Sequence, residues 1–226
     1  MADMTPKKKM TLAEKMKILN QVASSINTKA KKTVCGFVSD PLIAEKLRIK
    51  FIPTKSQNLN AITGGGYPIG KISIVAGESD SGKTSNLAET IGYNMQKDPD
   101  FCACWLESEN SLSKDYLCET FGIDPNRFFF IEHEKTGAGE AAIDELETVV
   151  GTGAVNIAVV NSLKCLVPSE EFRKQMGEFT IGSAARMNAK MVRKLTSITA
   201  ENEVALVLIS HLTTDIGSYE YRAVLR

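Results

Sequence analysis

Gly77-Glu78-Ser79-Asp80-Ser81-Gly82-Lys83-Thr84 satisfies the spacing G-x-x-x-x-G-K-[ST]. Glycines in such a stretch let successive backbone N–H groups curl around phosphate oxygens at a helix amino terminus. The lysine reaches the β- and γ-phosphates, and the threonine hydroxyl ligates Mg²⁺. That chemistry requires a strand before the loop and a helix after it. Lys71-Ile72-Ser73-Ile74-Val75-Ala76 reads as a buried strand, and a helix is predicted from about Thr84. Residues Gly77 to Thr84, with Ser85 following, are therefore the expected contacts to a nucleoside triphosphate.

Hydrolysis of a bound triphosphate needs a carboxylate at a nearby strand end for the metal's water shell, and another to position the attacking water. Cys102-Ala103-Cys104-Trp105-Leu106-Glu107-Ser108-Glu109 reads as an apolar strand ending in two glutamates. Two residues apart, they fall on the same side of a strand. Glu109 is the candidate general base; the alternative for an acid at a strand end is a solvated or capping carboxylate.

The elements that must hold these residues form an alternating series. After the phosphate loop and its helix come a strand 102–106, a helix 114–121, a strand 128–131, a helix 140–150, a strand 157–161, a helix from about Ser183 and a strand 204–210. Such alternation predicts an α/β fold with a mostly parallel sheet flanked by helices. Ahead of it, Thr11-Leu12-Ala13-Glu14 reads as a capping box, and Leu12, Met16, Leu19, Val22 and Ile26 make one apolar stripe. The stripe has two candidate partners, its own domain or a neighbouring subunit. The stretch between this helix and the Gly64-Gly65-Gly66-Tyr67-Pro68-Ile69-Gly70 turn cluster reads as irregular.

The sequence has 226 residues, with 27 Lys plus Arg against 27 Asp plus Glu and a 43% hydrophobic share. This suits one α/β domain with an appendage rather than a disordered chain. Residues 1–55 carry a net charge of +8 and the remainder −8. The basic front end, including Lys7, Lys8 and Lys9, is either a solvated tail or a contact to nucleic acid or an acidic neighbour. The apolar run Val204 to Ile209 is too short to span a bilayer, and no signal-peptide pattern precedes it. The expectation is a cytoplasmic protein without membrane contact. Five cysteines without a CxxC pair point to reduced thiols, with neither a disulfide nor a zinc site.

Taken together, the turn cluster running into the phosphate loop, the Glu107-Ser108-Glu109-Asn110 strand end, and Gly182-Ser183-Ala184-Ala185-Arg186-Met187 through Arg193-Lys194-Leu195 resemble the bacterial RecA recombinases and their phage relatives. The resemblance runs from about Ile52 to Gly217. It implies a RecA-like P-loop core with ATP and Mg²⁺ as cofactors, Glu109 and Lys83 as catalytic groups, and Tyr116 stacked on adenine. His211, at the end of the 204–210 strand, corresponds to the residue that senses the γ-phosphate, a histidine in phage-type members. Read without the resemblance, a strand-end histidine is a structural residue. The first DNA-binding loop corresponds to about 168–182, with Ile181 at the position that wedges between base triplets. Arg186, Lys190 and Arg193 cluster on one helical face, either a solvated surface or a phosphate track for single-stranded DNA. Phe172 and Phe179 either stack on bases or pack in the core.

By this resemblance, residues 1–32 form a basic arm and oligomerisation helix, and residues 33–226 form the ATPase core, carboxy-terminally incomplete. The implied protein binds single-stranded DNA, forms homo-oligomeric filaments and promotes pairing and strand exchange with homologous duplex DNA in recombination and repair. Its setting would be a bacterial or phage-infected cell, at the nucleoid. A RecA-fold hexameric helicase and a non-hydrolysing ATP-binding filament protein remain open beside it. One departure bears on chemistry. The family's metal-associated strand ends in Asp-Ser, whereas here Ile157-Ala158-Val159-Val160 is followed by Asn161-Ser162. An amide at 161 would reach the metal only through a bound water, so weaker metal binding and slower turnover are expected.

Overall fold

The computed structural model describes residues 10–133, 139–173, 182–214 and 223–225. It divides into two compact units, Met1–Ile49 and Lys50–Arg226. In the first, helix α1 (Leu12–Ala30) begins at the expected capping box. The Thr11 N–H donates to Glu14 Oε2 at 2.8 Å and the Glu14 N–H to Thr11 Oγ1 at 3.3 Å. The apolar stripe of α1 is exposed throughout, from 42% at Ile26 to 74% at Leu12.

After α1 the chain folds back. Asn27 Oδ1 accepts from the Val34 and Cys35 N–H groups at 2.8 and 3.1 Å, and Asn27 Nδ2 donates to the Cys35 carbonyl at 2.8 Å. Helix α2 (Pro41–Leu47) follows, capped by Asp40. This clasp ties residues beyond 32 to α1, and the compact unit runs to Ile49, whereas the resemblance bounds the arm at 32.

The second unit opens with a segment that the sequence left irregular but that is ordered. Strands β1 (Phe51–Ile52) and β2 (Tyr67–Pro68) pair antiparallel around helix α3 (Gln57–Thr63). Gly66 is required there: at φ 121° a Cβ would lie 2.1 Å from the Ile52 carbonyl oxygen. The alternating series then runs β3 (Ile72–Gly77), α4 (Lys83–Lys97), β4 (Ala103–Glu107), a π-helical turn (Tyr116–Thr120) and β5 (Phe128–Glu132). It continues through α5 (Gly139–Gly151), β6 (Ile157–Asn161), a 3₁₀ turn (Leu163–Cys165), α6 (Ser169–Phe172), α7 (Ser183–Glu201), β7 (Ala205–Thr214) and β8 (Ala223–Leu225). The sheet order is β3-β7-β6-β4-β5, all parallel, with β8 antiparallel to β7.

Strand alternation divides the core into two layers. Trp105, Val159 and Val207 join Leu87 and Ile91 of α4 on one face. Leu106, Val160 and Leu208 join Leu146 of α5 and Met191 and Leu195 of α7 on the other. The sequence expectations for these elements stand, with ends within a few residues. Two differ in character. The helix expected over 114–121 is largely a π turn, in which the Phe121 N–H bonds to both the Cys118 and Leu117 carbonyls. The strand before the phosphate loop was expected to be buried, yet Ile74 is 54% exposed. Among the described residues β3 ends the sheet order and pairs only with β7, so one edge of it has no strand beside it.

Candidate nucleotide-binding site

Because the sheet is parallel, β3, β7, β6 and β4 all end on the same edge, where ligands collect in such folds. Gly77 closes β3 and leads into the phosphate loop, in which Asp80 and Gly82 take positive φ of 58° and 83°. The loop hands over to α4 at Lys83, with Thr84 half-buried at its second position and Ser85 at its third. Lys83 is buried, and its ammonium donates to the Gly77 and Glu78 carbonyls at 3.1 and 2.6 Å and lies 3.4 Å from Ser81 Oγ. Ser79 is exposed in the same loop.

Tyr116 opens the π turn. Its ring is 42% exposed, stands edge-on to Phe121 at 5.1 Å, and its hydroxyl is 3.3 Å from Ser85 Oγ, just behind the phosphate loop. An aromatic face is thus open to solvent beside the start of α4. π turns often occur at functional positions because they re-aim a side chain.

The carboxylates part company at the strand end. Strand β4 stops at Glu107, so the two-residue alternation does not carry on to Glu109. Glu107 is 1% exposed. Its Oε2 accepts from Trp105 Nε1 and Asn161 Nδ2, each at 2.9 Å. Its Oε1 accepts from the Glu109 N–H at 2.9 Å and, more weakly, from the Ser111 N–H and hydroxyl. Glu109 itself faces elsewhere. Its Oε1 accepts from His211 Nε2 at 2.8 Å and from the Ser162 hydroxyl. A carboxylate only accepts, so the imidazole nitrogen supplies the hydrogen. The neighbouring Cys165 thiol has its pKa pushed up, chiefly by burial.

His211 lies opposite Gly77 in the β3–β7 register, and Asn161 opposite Glu107 in the β4–β6 register. Lys83 and Glu109 follow β3 and β4, and Asn161 closes β6; His211, expected just past a strand ending at 210, stands inside β7, which runs on to Thr214, level with Gly77 at the same edge of the sheet. Sequence reasoning missed Glu107 as the organiser of this edge. A signal was present: Trp105 in a buried strand carries an N–H that must find an acceptor, and the acid two residues on lies on its side.

The residues suit a triphosphate with a divalent cation on two counts. A Cβ at Gly82 would meet nothing within 4 Å, so the loop opens onto free space there. Asn161 is fully buried, yet its Oδ1 has no hydrogen-bond partner among the described residues, leaving an acceptor for a group such as a metal-bound water.

The candidate DNA face is separate. Arg186, Lys190 and Arg193 are exposed along α7, while Met187, Met191 and Leu195 are buried, as the wheel predicted. Arg186 pairs with Glu170 at 2.8 Å, both about two-thirds exposed. Glu140 accepts from the Ser169 N–H at 2.9 Å and sits below its ordinary pKa: burial pushes it up, but the Ser169 hydroxyl and backbone bonds outweigh that. Ile181, Phe179 and the side chain of Phe172 lie outside the described residues.

Comparison with known proteins gives a coherent result. The RecA N-terminal domain model matches residues 17–222. Protein RecA of Aquifex pyrophilus is 31% identical over 207 residues, covering 91% of this chain and 57% of the relative. Protein RecA of Mycoplasma mycoides is 35% identical over 158 residues, covering 70% and 44%. Protein RecA of Prochlorococcus marinus is 28% identical over 204 residues, covering 90% and 52%. The chain thus spans about half the length of these relatives. Among the described residues no helix is long and apolar enough to cross a membrane.

Proposed function

The chain belongs to the RecA family, and on that premise we propose that it is an ATP-dependent recombinase core that binds single-stranded DNA, assembles into filaments and promotes pairing and strand exchange with homologous duplex DNA. The observation that carries this reading is the Glu109–His211 contact beside the phosphate loop. It joins the candidate base to a histidine within β7, the strand that runs on through Leu212–Thr214.

The chemistry assigned to each residue follows from its partners. Bound ATP with Mg²⁺ supplies the scissile phosphoanhydride. Lys83 exchanges the Gly77 and Glu78 carbonyls for phosphate oxygens, and Thr84 and Asn161 hold the metal side, the amide through a water. Backbone N–H groups of Glu78 to Ser85 face the phosphates, and Tyr116 stacks on the base. While its Oε1 serves His211 and Ser162, Glu109 has only Oε2 to offer an attacking water. Turning His211 toward the γ-phosphate frees Glu109, and the movement passes along β7 toward the DNA. Ile181, Arg186 and Arg193 are the DNA contacts, with Arg186 leaving Glu170 for a phosphate. The exposed stripe of α1, within the arm 1–32, docks on a neighbouring copy of the ATPase core, 33–226. The phage-type assignment rests on His211.

A second reading, ATP binding without turnover, draws on the amide at 161 and on Glu109 being engaged. Steady-state ATPase with and without single-stranded DNA separates the two. DNA-stimulated turnover that Glu109→Gln removes while ATP-analogue binding persists supports the recombinase. Binding with no turnover supports the second reading, and turnover unchanged by Glu109→Gln refutes the role of Glu109.

A further inference from the structure

The amide at 161 looks like a lost carboxylate only while it is considered alone. Its register partner across the β4–β6 ladder is Glu107, and Asn161 Nδ2 donates to Glu107 Oε2 at 2.9 Å. Asn161 Nδ2 also reaches Ser111 Oγ at 3.2 Å, and that hydroxyl approaches Glu107 Oε1. Both side chains are buried, at 1% and 0% exposure, and among the described residues the only other group on Oε2 is the indole N–H of Trp105. Among the described residues no lysine, arginine or histidine is a partner of Glu107, so its compensation there comes from neutral donors. An aspartate at 161 would set two acceptor-only carboxylates 2.9 Å apart in a buried site, where like charges strongly disfavour joint ionisation.

We propose that Glu107 and Asn161 form one functional unit in which the site's buried carboxylate stands at 107 and the residue at 161 must be its amide partner. Glu107 is a positioning residue. Through Oε1 it holds the N–H groups of Glu109 and Ser111, which fixes the turn that presents Glu109 to His211 and Ser162. Through Oε2 it takes the Asn161 NH₂, which fixes the amide orientation and leaves Oδ1 as the buried acceptor without a partner. That oxygen is the one offered to a hydrogen donor in the site, of the class of a metal-bound water. Changing Asn161 to the acid therefore does not improve the site; it breaks the pair. This inference rests on the nucleotide-binding reading for its effect on turnover, but its structural half stands without nucleotide.

The test is a double-mutant cycle on the full chain with Asn161→Asp, Glu107→Gln and the two combined. The thermal midpoint of the nucleotide-free protein and the kcat and KM for ATP are measured in each. Asn161→Asp is expected to lower the midpoint by about 5 °C or more and kcat by about tenfold, with KM changing less than about threefold. The combination moves the acid across the ladder and restores one donor to one carboxylate, but it leaves the Trp105 N–H facing an NH₂, so it is expected to recover part and not all of each loss.

Wild-type stability and turnover in Asn161→Asp would overturn the proposal, as would a double variant no better than Asn161→Asp. If Asn161→Asp fails to fold, the double variant decides: folded supports the pair and unfolded refutes it. A wild-type protein that neither binds nor hydrolyses ATP refutes the nucleotide reading instead. The thermal cycle would still report on the pair.

Discussion

Gly92 is where a single methyl group sets two effects of opposite sign against each other. It lies inside α4, and a Cβ there would sit 1.9 Å from the Phe121 carbonyl oxygen and 2.9 Å from its carbon, whereas ordinary contact begins at 3.4 Å. The backbone of Phe121 must then retreat by about 1.5 Å, carrying the end of the π turn with it. That turn seats Leu117 and leads to Ile123, both buried, and it carries Tyr116 against Phe121. In the other direction, alanine is better than glycine in a helix interior by about 1 kcal/mol. Overpacking against backbone costs about 2–3 kcal/mol. The clash wins by about 1–2 kcal/mol, which for a chain of this length lowers Tm by about 2–8 °C. Thermal unfolding of Gly92→Ala reads this directly. A fluorescent ATP analogue titrated against the same variant should bind about fivefold more weakly, the equivalent of about 1 kcal/mol of lost stacking at Tyr116. A Tm equal to or above wild type would refute the reasoning, because helix propensity alone would then account for the site. A lowered Tm with unchanged analogue affinity would separate Tyr116 from the nucleotide.

Two further outcomes follow from named contacts. Arg127 ties the start of β5 to the end of α4, donating to the Met95, Asp98 and Pro99 carbonyls at 3.0–3.1 Å and to Asp124 Oδ2 at 3.0 Å. Arg127→Ala should cost about 2 kcal/mol in chemical denaturation, since several helix-end carbonyls lose a charged donor together; a loss below about 0.5 kcal/mol would mean that water replaces it freely. Arg193→Ala should weaken single-stranded DNA binding for every sequence tested and reduce the slope of log Kobs against log salt by about one; an unchanged slope would remove α7 from the DNA track.

Local patterns carried much of the fold. The Thr11/Glu14 capping box and the alternation along β4, β6 and β7 were legible because each signal lies within a few consecutive residues. The short elements α2, α3, β1 and β2 were not. Seven residues of helix or two of strand carry too few turns or pleats to show a period. Their order comes from contacts such as the Asn27 clasp and the approach of Gly66 to Ile52. The exposure of Ile74 was illegible for a related reason: an apolar run reports that a strand is suited to burial, whereas the sheet order decides what lies beside it.

The candidate site divides along the same line. The phosphate cradle was determined by the sequence, because Gly77 to Thr84 act through contiguous backbone at one strand-to-helix junction, and local spacing is enough to specify that. The strand-end spacing offered Glu109, and family likeness added Tyr116 and His211, in each case without their distances. Only the tertiary structure decided that His211 lies in register with Gly77 and against Glu109, 102 positions away in the chain, or that Asn161 meets Glu107 across 54. Parallel strands are joined by crossovers whose lengths do not encode the partner, so ladder register and strand order must form before residues of the four strands can meet. The same register turned the amide at 161 from an apparent defect into the complement of a buried acid.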